Sequence, residues 1–321
     1  MTDVMKSFDA SSDFKRYLES KETVDDRALD VTTMVALGEA VAEFKGPTLR
    51  VLEVGCGVGN MLPRLLRRGI LEGAFDIDYT AIDIQDKLFE AARFRVERWA
   101  EELGFKFECG SNEHEFVLNG NGRTLTMRLT VSSLEAWSEQ AENTESYDLV
   151  IAQAVLDILD TRAAVGQIFA LLSEGGLYYF PIHFDGNTIF EPVFDVALDQ
   201  EIESRYHASM DNRITDGKPS GDSRTGRHLF GIIRDAGGEV HASGGSSWVV
   251  HGRGGEYPAD EAYFLHFIVD GVYSELSECS EISQPFLWQW AGMRHSQIEE
   301  GTLVYIAHQI DFFGSRQRAK S

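Results

Sequence analysis

From Val51 to Asn60 the chain reads VLEVGCGVGN, an apolar run interrupted by one acid and followed by glycines at 55, 57 and 59. Alternate glycines leave the backbone free to take positive φ, and they let a ligand approach it closely where a helix begins. A dinucleotide fingerprint would read GxGxxG, whereas the spacing here is GxGxG with Glu53 just before it. Glycine spacing alone is a weak signal. Strand, Glu53, glycines, helix and then an acid, Asp83, at the end of the next strand make a strong one for a bound small molecule.

Such a turn needs a strand before it and a helix behind it. Residues 49–54 form a compact β-type run, and Leu62, Leu65 and Leu66 mark one helical face across 61–69. A second strand is expected at 79–84, then a helix over 86–103 with Leu88, Ala91, Ala92 and Val96 on one side. Residues 116–118 and 124–131 flank NGNG, so the third strand is expected to be entered through a hairpin. Strands at 147–152 and 177–182 enclose a helix at 162–172 that closes on Glu174-Gly175-Gly176. Strand alternating with helix predicts a doubly wound, mostly parallel α/β sheet.

Upstream, residues 14–44 read as helical, with Tyr17, Leu18, Leu29, Met34, Leu37 and Val41 on one stripe, and Gly46-Pro47 ends the segment. Residues 185–225 turn polar and irregular, which predicts an inserted lid or loop with Phe190, Phe194 and Tyr206 needing burial. A helix at 226–236, a strand at 246–250, a helix at 262–276 and a final strand at 302–312 complete the pattern. The expected division is an N-terminal helical lid over 1–47, a main domain over 48–313 with the insert at 185–225, and a tail at 314–321. Within QPFLWQWAGM, an interface or a cover for the sheet is one reading, and core packing is the expectation for Phe286, Trp288 and Trp290.

Composition narrows the function classes. The chain has 321 residues, 43% of them hydrophobic, and a formal net charge of -23. That charge repels phosphate backbones and anionic lipid headgroups, so nucleic acid and membrane surfaces are not expected partners. Cys56, Cys109 and Cys279 lie far apart without a CxxC pair, so neither a disulfide framework nor a zinc or other metal site is expected. No stretch of uninterrupted apolar residues reaches the length of a membrane span, and a cytoplasmic location is the expectation.

VLEVGCGVGN with the downstream YTAIDI resembles the cofactor-binding signature of class I S-adenosylmethionine-dependent methyltransferases. The order of elements from about Leu49 to Phe312 is similar to that family's seven-stranded sheet. The family's last strand is antiparallel, between the fifth and sixth in chain order, and GTLVYIAHQIDFF is the candidate for it. The resemblance implies S-adenosyl-L-methionine as cofactor. Gly55, Cys56, Gly57 and Gly59 would pass beside its methionyl part, Glu53 would sit beneath the loop near its ammonium, and Asp83 would accept from both ribose hydroxyls. Ile84 and Gln85 would flank the adenosine. Ser132 and Ser133 stand where many members offer an aspartate to the adenine amine, and Leu134 is placed to pack on the adenine or in the core. Gln153, Ala154 and Val155 would line the passage from cofactor to acceptor.

The implied reaction is methyl transfer to a small-molecule acceptor through an O or N nucleophile. His183 and Asp185, just past the fifth strand, are the candidates for a general base. Asp157 is a substrate contact or, more in keeping with its surroundings, a cap on the following helix. Tyr17 and Arg27 of the N-terminal segment and His207 of the insert are further substrate candidates, with Arg27 also readable as part of a charged helix face. A protein substrate, a non-catalytic binding role and a nicotinamide-dependent oxidoreductase are the alternatives, and the glycine spacing counts against the last. Oligomeric state, including a homo-oligomer, stays open.

Overall fold

The computed structural model describes residues 10–73, 75–215 and 217–317. Residues 1–9 of the expected lid and 318–321 of the expected tail lie outside the described residues. The N-terminal segment is three helices rather than one: α1 (Ala10–Ser20), α2 (Glu22–Ala28) and α3 (Val31–Ala42). Leu29 leaves α2 in an extended conformation, and the Asp30 side chain then caps α3 by accepting from Thr33 N at 2.8 Å.

The alternating region follows the expected order: β1 (Thr48–Val54), α4 (Met61–Arg67), β2 (Asp76–Asp83), α5 (Phe89–Glu102). Then β3 (Lys106–Cys109), β4 (Glu115–Gly120) and β5 (Arg123–Val131) form an antiparallel meander, the hairpin signalled by NGNG. The chain continues through α6 (Leu134–Ser138), β6 (Tyr147–Ala152), α7 (Thr161–Leu171), β7 (Leu172–Glu191) and α8 (Val196–Asp211). A short ribbon, β8 (Ile214–Thr215) with β9 (Lys218–Pro219), precedes α9 (Thr225–Asp235), β10 (Gly238–Gly245), β11 (Trp248–His251), α10 (Glu261–Leu276), α11 (Gln284–Glu299) and β12 (Val304–Arg316).

The main sheet runs β10-β12-β7-β6-β1-β2-β5-β4-β3, with β11 added to β12. From β5 to β7 the pairing is parallel, and β12 lies antiparallel between β7 and β10. This is the mostly parallel, doubly wound sheet the sequence predicts, widened by β3, β4 and β11. Successive residues of β1 feed opposite faces: Val51 joins the core on one side, Leu52 and Val54 the core on the other. A strand covered on both faces reads as a continuous apolar run, and each such buried side chain contributes about 1.5–3 kcal/mol.

Three expectations need correction. The 185–225 insert is not an irregular loop, because β7 continues to Glu191 and α8 supplies 16 helical residues. Its aromatics, Phe190, Phe194 and Tyr206, pack against the main core. The tail assigned to 314–321 begins inside β12, which pairs with β7 and β10 as far as Ser315 and Arg316. Phe286 and Trp288 are 58% and 55% exposed, while Trp290 is buried, because the inward face of α11 is Leu287, Trp290, Ala291, Arg294 and Ile298. That is helical spacing, and it excludes positions 286 and 288.

The second half of β7 projects past the parallel strands, pairing through Thr188–Glu191 with β12, whose other edge carries β11. Helices α8, α10 and α11 pack over this arm, and α1 and α2 lie against α10 and β11. The N-terminal helices are thereby held above the carboxyl edge of the sheet. Among the described residues no helix is long and apolar enough to cross a membrane.

Candidate functional site

At the end of β1, the amides of Gly55 and Cys56 both donate to the Ile82 carbonyl, at 2.9 and 3.1 Å, which ties the glycine turn to the end of β2. Gly57 has φ of +52°, and a Cβ there would come within 3.2 Å of Leu18 Cδ1. A side chain at 57 would therefore occupy the gap between turn and helix α1. Gly59 differs from its neighbours: its Cβ would meet Ala92 Cβ of α5 at 3.3 Å, so it serves helix packing.

Asp83 closes the turn from the next strand. Its Oδ2 accepts from Gly57 N and its Oδ1 from Gln85 N, both at 2.9 Å, leaving each oxygen a further lone pair. Glu53 is 3% exposed, and its Oε2 accepts from the Tyr79 hydroxyl at 2.7 Å. Burial pushes its carboxyl up to about 7, offset in part by that hydrogen bond and by nearby Arg64. The Cys56 thiol is also raised by burial, which leaves it a small apolar wall rather than a nucleophile.

These elements enclose a cavity of about 240 Å³. Glu53, Gly55, Cys56, Gly57, Asp83, Ile84, Gln85, Ser132, Ser133, Leu134, Gln153, Ala154 and Val155 all line it, and Gly59 does not. Ser132 N donates to the Asp83 carbonyl at 3.0 Å, and the Ser133 hydroxyl caps α6 by accepting from Ala136 N at 3.1 Å. Ala154 has φ of +50°, a left-handed conformation unusual for alanine, and its amide is held by the Pro181 carbonyl at 3.0 Å. Such strain persists only where the surroundings enforce it.

A lid from the N-terminal segment is expected from the sequence, but the residues that form the upper wall were not legible in it. Phe14, Leu18, Lys21 and Asp25 complete the cavity from α1 and α2. Asp25 is 1% exposed; it accepts from Gln153 Nε2 at 2.8 Å and from Trp248 Nε1 at 2.9 Å, with Lys21 Nζ 3.6 Å away. Gln153 in turn accepts from Arg64 Nη1 at 2.8 Å, and Arg64 pairs with Asp26. One polar chain thus joins α2, α4, β6 and β11. Its signal in the sequence is the i,i+4 pair Lys21–Asp25, but a charged helix face gives the same pattern.

The acceptor-side candidates are not gathered here. His183 is fully buried; its Nε2 meets the Ala152 carbonyl at 3.1 Å, and burial lowers it to about 3. Asp185 is 5% exposed and holds the start of α9, accepting from Arg227 N at 2.9 Å and Arg227 Nε at 2.8 Å. Neither lines the cavity, so the expected base role is corrected on grounds of burial and prior engagement. Arg27 donates twice to the buried Glu261, at 2.6 and 2.9 Å, and is a helix tether rather than a substrate clamp. Asp157 does not cap α7, whose cap is Asp160 accepting from Ala163 N at 3.1 Å. Tyr17 stacks on Phe267 with centroids 4.1 Å apart, and His207 Nε2 sits 3.1 Å from Thr188 Oγ1. Tyr17, Asp157 and His207 lie outside the lining of the cavity.

Residues 52–178 match the family model described as a methyltransferase domain. No curated protein sequence matches the chain. Among solved structures, the chain is similar to a geranyl diphosphate methyltransferase in complex with GPP and sinefungin, at 11% identity over 89% of this chain and 77% of that one, TM-score 0.42. It is similar to an S-adenosylmethionine-dependent methyltransferase from Methanosarcina mazei, at 12% identity over 87% and 98% of the two chains, TM-score 0.43. A putative sarcosine dimethylglycine methyltransferase from Galdieria sulphuraria is also similar, at 11% identity over 94% and 86%, TM-score 0.40.

Proposed function

We propose that the chain, whose residues 52–178 match a methyltransferase-domain model, is a class I S-adenosylmethionine-dependent methyltransferase that methylates a small-molecule O or N nucleophile by in-line displacement. The observation that carries this reading is the convergence of Glu53, Asp83 and the glycine turn on one enclosed cavity beneath α1 and α2.

The residues present fit the cofactor. Asp83 keeps acceptor capacity for two hydroxyls, and Glu53 offers a buried carboxylate for an ammonium. The Gly57–Leu18 gap is a cradle that a Cβ would fill. Ile84, Gln85 and Leu134 would supply flanking surface for a purine, and Ser132 and Ser133 would offer acceptors to its amine. The cofactor supplies an electrophilic methyl group whose sulfur leaves neutral.

With no anion developing on the leaving group, the chain's task is alignment and exclusion of water. Pre-assembly of reacting groups is worth about 7 kcal/mol or more. The α1–α2 wall excludes water, and Gln153, held by Asp25 and Arg64, lies at the β6 end with Ala154. A small acceptor is favoured because α1 and α2 wall the cavity on the side of the glycine turn.

Calorimetric titration with S-adenosylhomocysteine, followed by methyl transfer from radiolabelled cofactor to a metabolite panel, tests the reading. Binding in the parent and at least about tenfold weaker binding in Asp83→Ala are expected. No heat in the parent, or a variant indistinguishable from it, would overturn the assignment.

A further inference from the structure

Of the residues that line the cofactor cavity, Asp25, Glu53 and Asp83 are acids, and Lys21 is the one cation among those described. Lys21 stands at the junction of α1 and α2, where its amide donates to the Tyr17 carbonyl at 3.1 Å and its own carbonyl accepts from Asp25 N at 2.9 Å. The chain is helical through this joint, so side chains four positions apart come out side by side. Lys21 Nζ lies 3.6 Å from Asp25 Oδ2, with the Trp248 and Tyr17 rings 5.5 and 5.9 Å away.

Two observations leave this ammonium available to a ligand. Its side chain is 12% exposed, yet none of its three donors comes within hydrogen-bond distance of an acceptor among the described residues. Asp25, its ion-pair partner, is already occupied by Gln153 Nε2 at 2.8 Å and Trp248 Nε1 at 2.9 Å. Arg64, whose charge reaches Glu53, is held by Asp26 and Gln153 and does not line the cavity.

We propose that Lys21 anchors the carboxylate of the cofactor's methionyl end, so that the N-terminal helices read the amino-acid part of the ligand while Asp83 reads its nucleoside part. The inference rests on the methyl-transfer reading and adds to it a residue that selects the ligand. An α-amino acid carries its carboxylate beside its ammonium, so a ligand whose ammonium meets Glu53 brings an anion into a cavity lined by three acids. That anion is repelled unless a cation offsets it, and a carboxylate taken out of water needs a hydrogen-bonding partner. Lys21 supplies both, and its rotatable donors let one ammonium bridge Asp25 and the incoming carboxylate.

Calorimetric titration of the full chain with S-adenosylhomocysteine and with its decarboxylated analogue, which keeps the ammonium and lacks only the carboxylate, tests it. The parent should bind S-adenosylhomocysteine at least about tenfold more tightly than the analogue. Lys21→Met keeps the length of the stem and removes the charge; it should weaken S-adenosylhomocysteine by about tenfold and leave the analogue no weaker than in the parent. Lys21→Arg should retain most of the preference. A helix that had merely loosened would weaken both ligands together. Equal binding of the two ligands by the parent, which needs no variant to fold, or a Lys21→Met variant that weakens both alike, would overturn the proposal. Failure of the parent to bind either ligand would strike the methyl-transfer reading, and this proposal with it.

Discussion

Asp25 of α2 and Gln153 at the end of β6, 128 positions apart, share a hydrogen bond of 2.8 Å across the cofactor cavity. The bond sits inside a polar chain in which Trp248 Nε1, Gln153 Nε2 and Lys21 Nζ all address one buried carboxylate. That chain joins the upper wall of the cavity to the strand that carries its floor.

Asp25→Ala should therefore do two things at once. It strands the Trp248 and Gln153 donors in a buried setting, at a cost of about 2–4 kcal/mol for the pair. It also frees α2 from β6. Urea denaturation should show the loss of stability, and S-adenosylhomocysteine affinity should fall by about tenfold or more at a temperature where the variant is folded. An unchanged affinity would mean that the N-terminal helices close the cavity without this latch.

Glu53 gives a pH dependence of defined sign. Its carboxyl is raised by burial from 4.5 to about 7. Between those values the folded protein holds a proton that the unfolded chain has released, so stability declines as pH rises through that window. A cationic ligand reverses the demand, since it needs the ionised carboxylate. S-adenosylmethionine affinity should climb as pH rises toward 7 and level off above it. Calorimetry from pH 5.5 to 8.5 checks this, and Glu53→Gln should flatten the profile.

The sequence brings out the candidate cofactor half of the site because that half is local. Glu53, the glycine turn and Asp83 each sit at the end of an apolar run, and parallel register alone brings them together, with Glu53 opposite Ala81. The other half is made by contacts between distant segments. Nothing near Asp25 in sequence announces Trp248, and nothing near Arg27 announces Glu261. Similarly, 185–225 reads as polar because α8 turns only Ile202 fully into the core, so its hydrophobic period is faint. His183 followed the rule that polar residues past a strand face the ligand, but the extension of β7 carries it into a packed layer between sheet and helix.

Arg27 and Glu261 should behave as an anchoring pair. Glu261 is fully buried and takes both Arg27 bonds and the Thr23 hydroxyl at 2.6 Å. Arg27→Ala leaves that carboxylate buried without its cation; because the guanidinium is 39% exposed, the cost is set at about 2 kcal/mol, below the range for wholly buried pairs. Arg27→Ala/Glu261→Gln should recover part of the loss. A rise in acceptor KM with stability unchanged would return Arg27 to the substrate site.

His183 should report on the fold instead of the reaction. Its imidazole is lowered by burial from 6.5 to about 3, so it stays neutral in the folded protein while the unfolded chain takes up a proton. Stability must then fall as pH drops below 6.5 toward 3, the reverse of the Glu53 contribution. His183→Gln can keep a donor toward the Ala152 carbonyl without that titration. Its denaturation midpoint should accordingly lose less than the parent's between pH 7.5 and pH 5, and its turnover should show the same pH profile as the parent. A turnover profile that loses an acid limb near the ordinary histidine range in this variant would place the imidazole back in the chemistry.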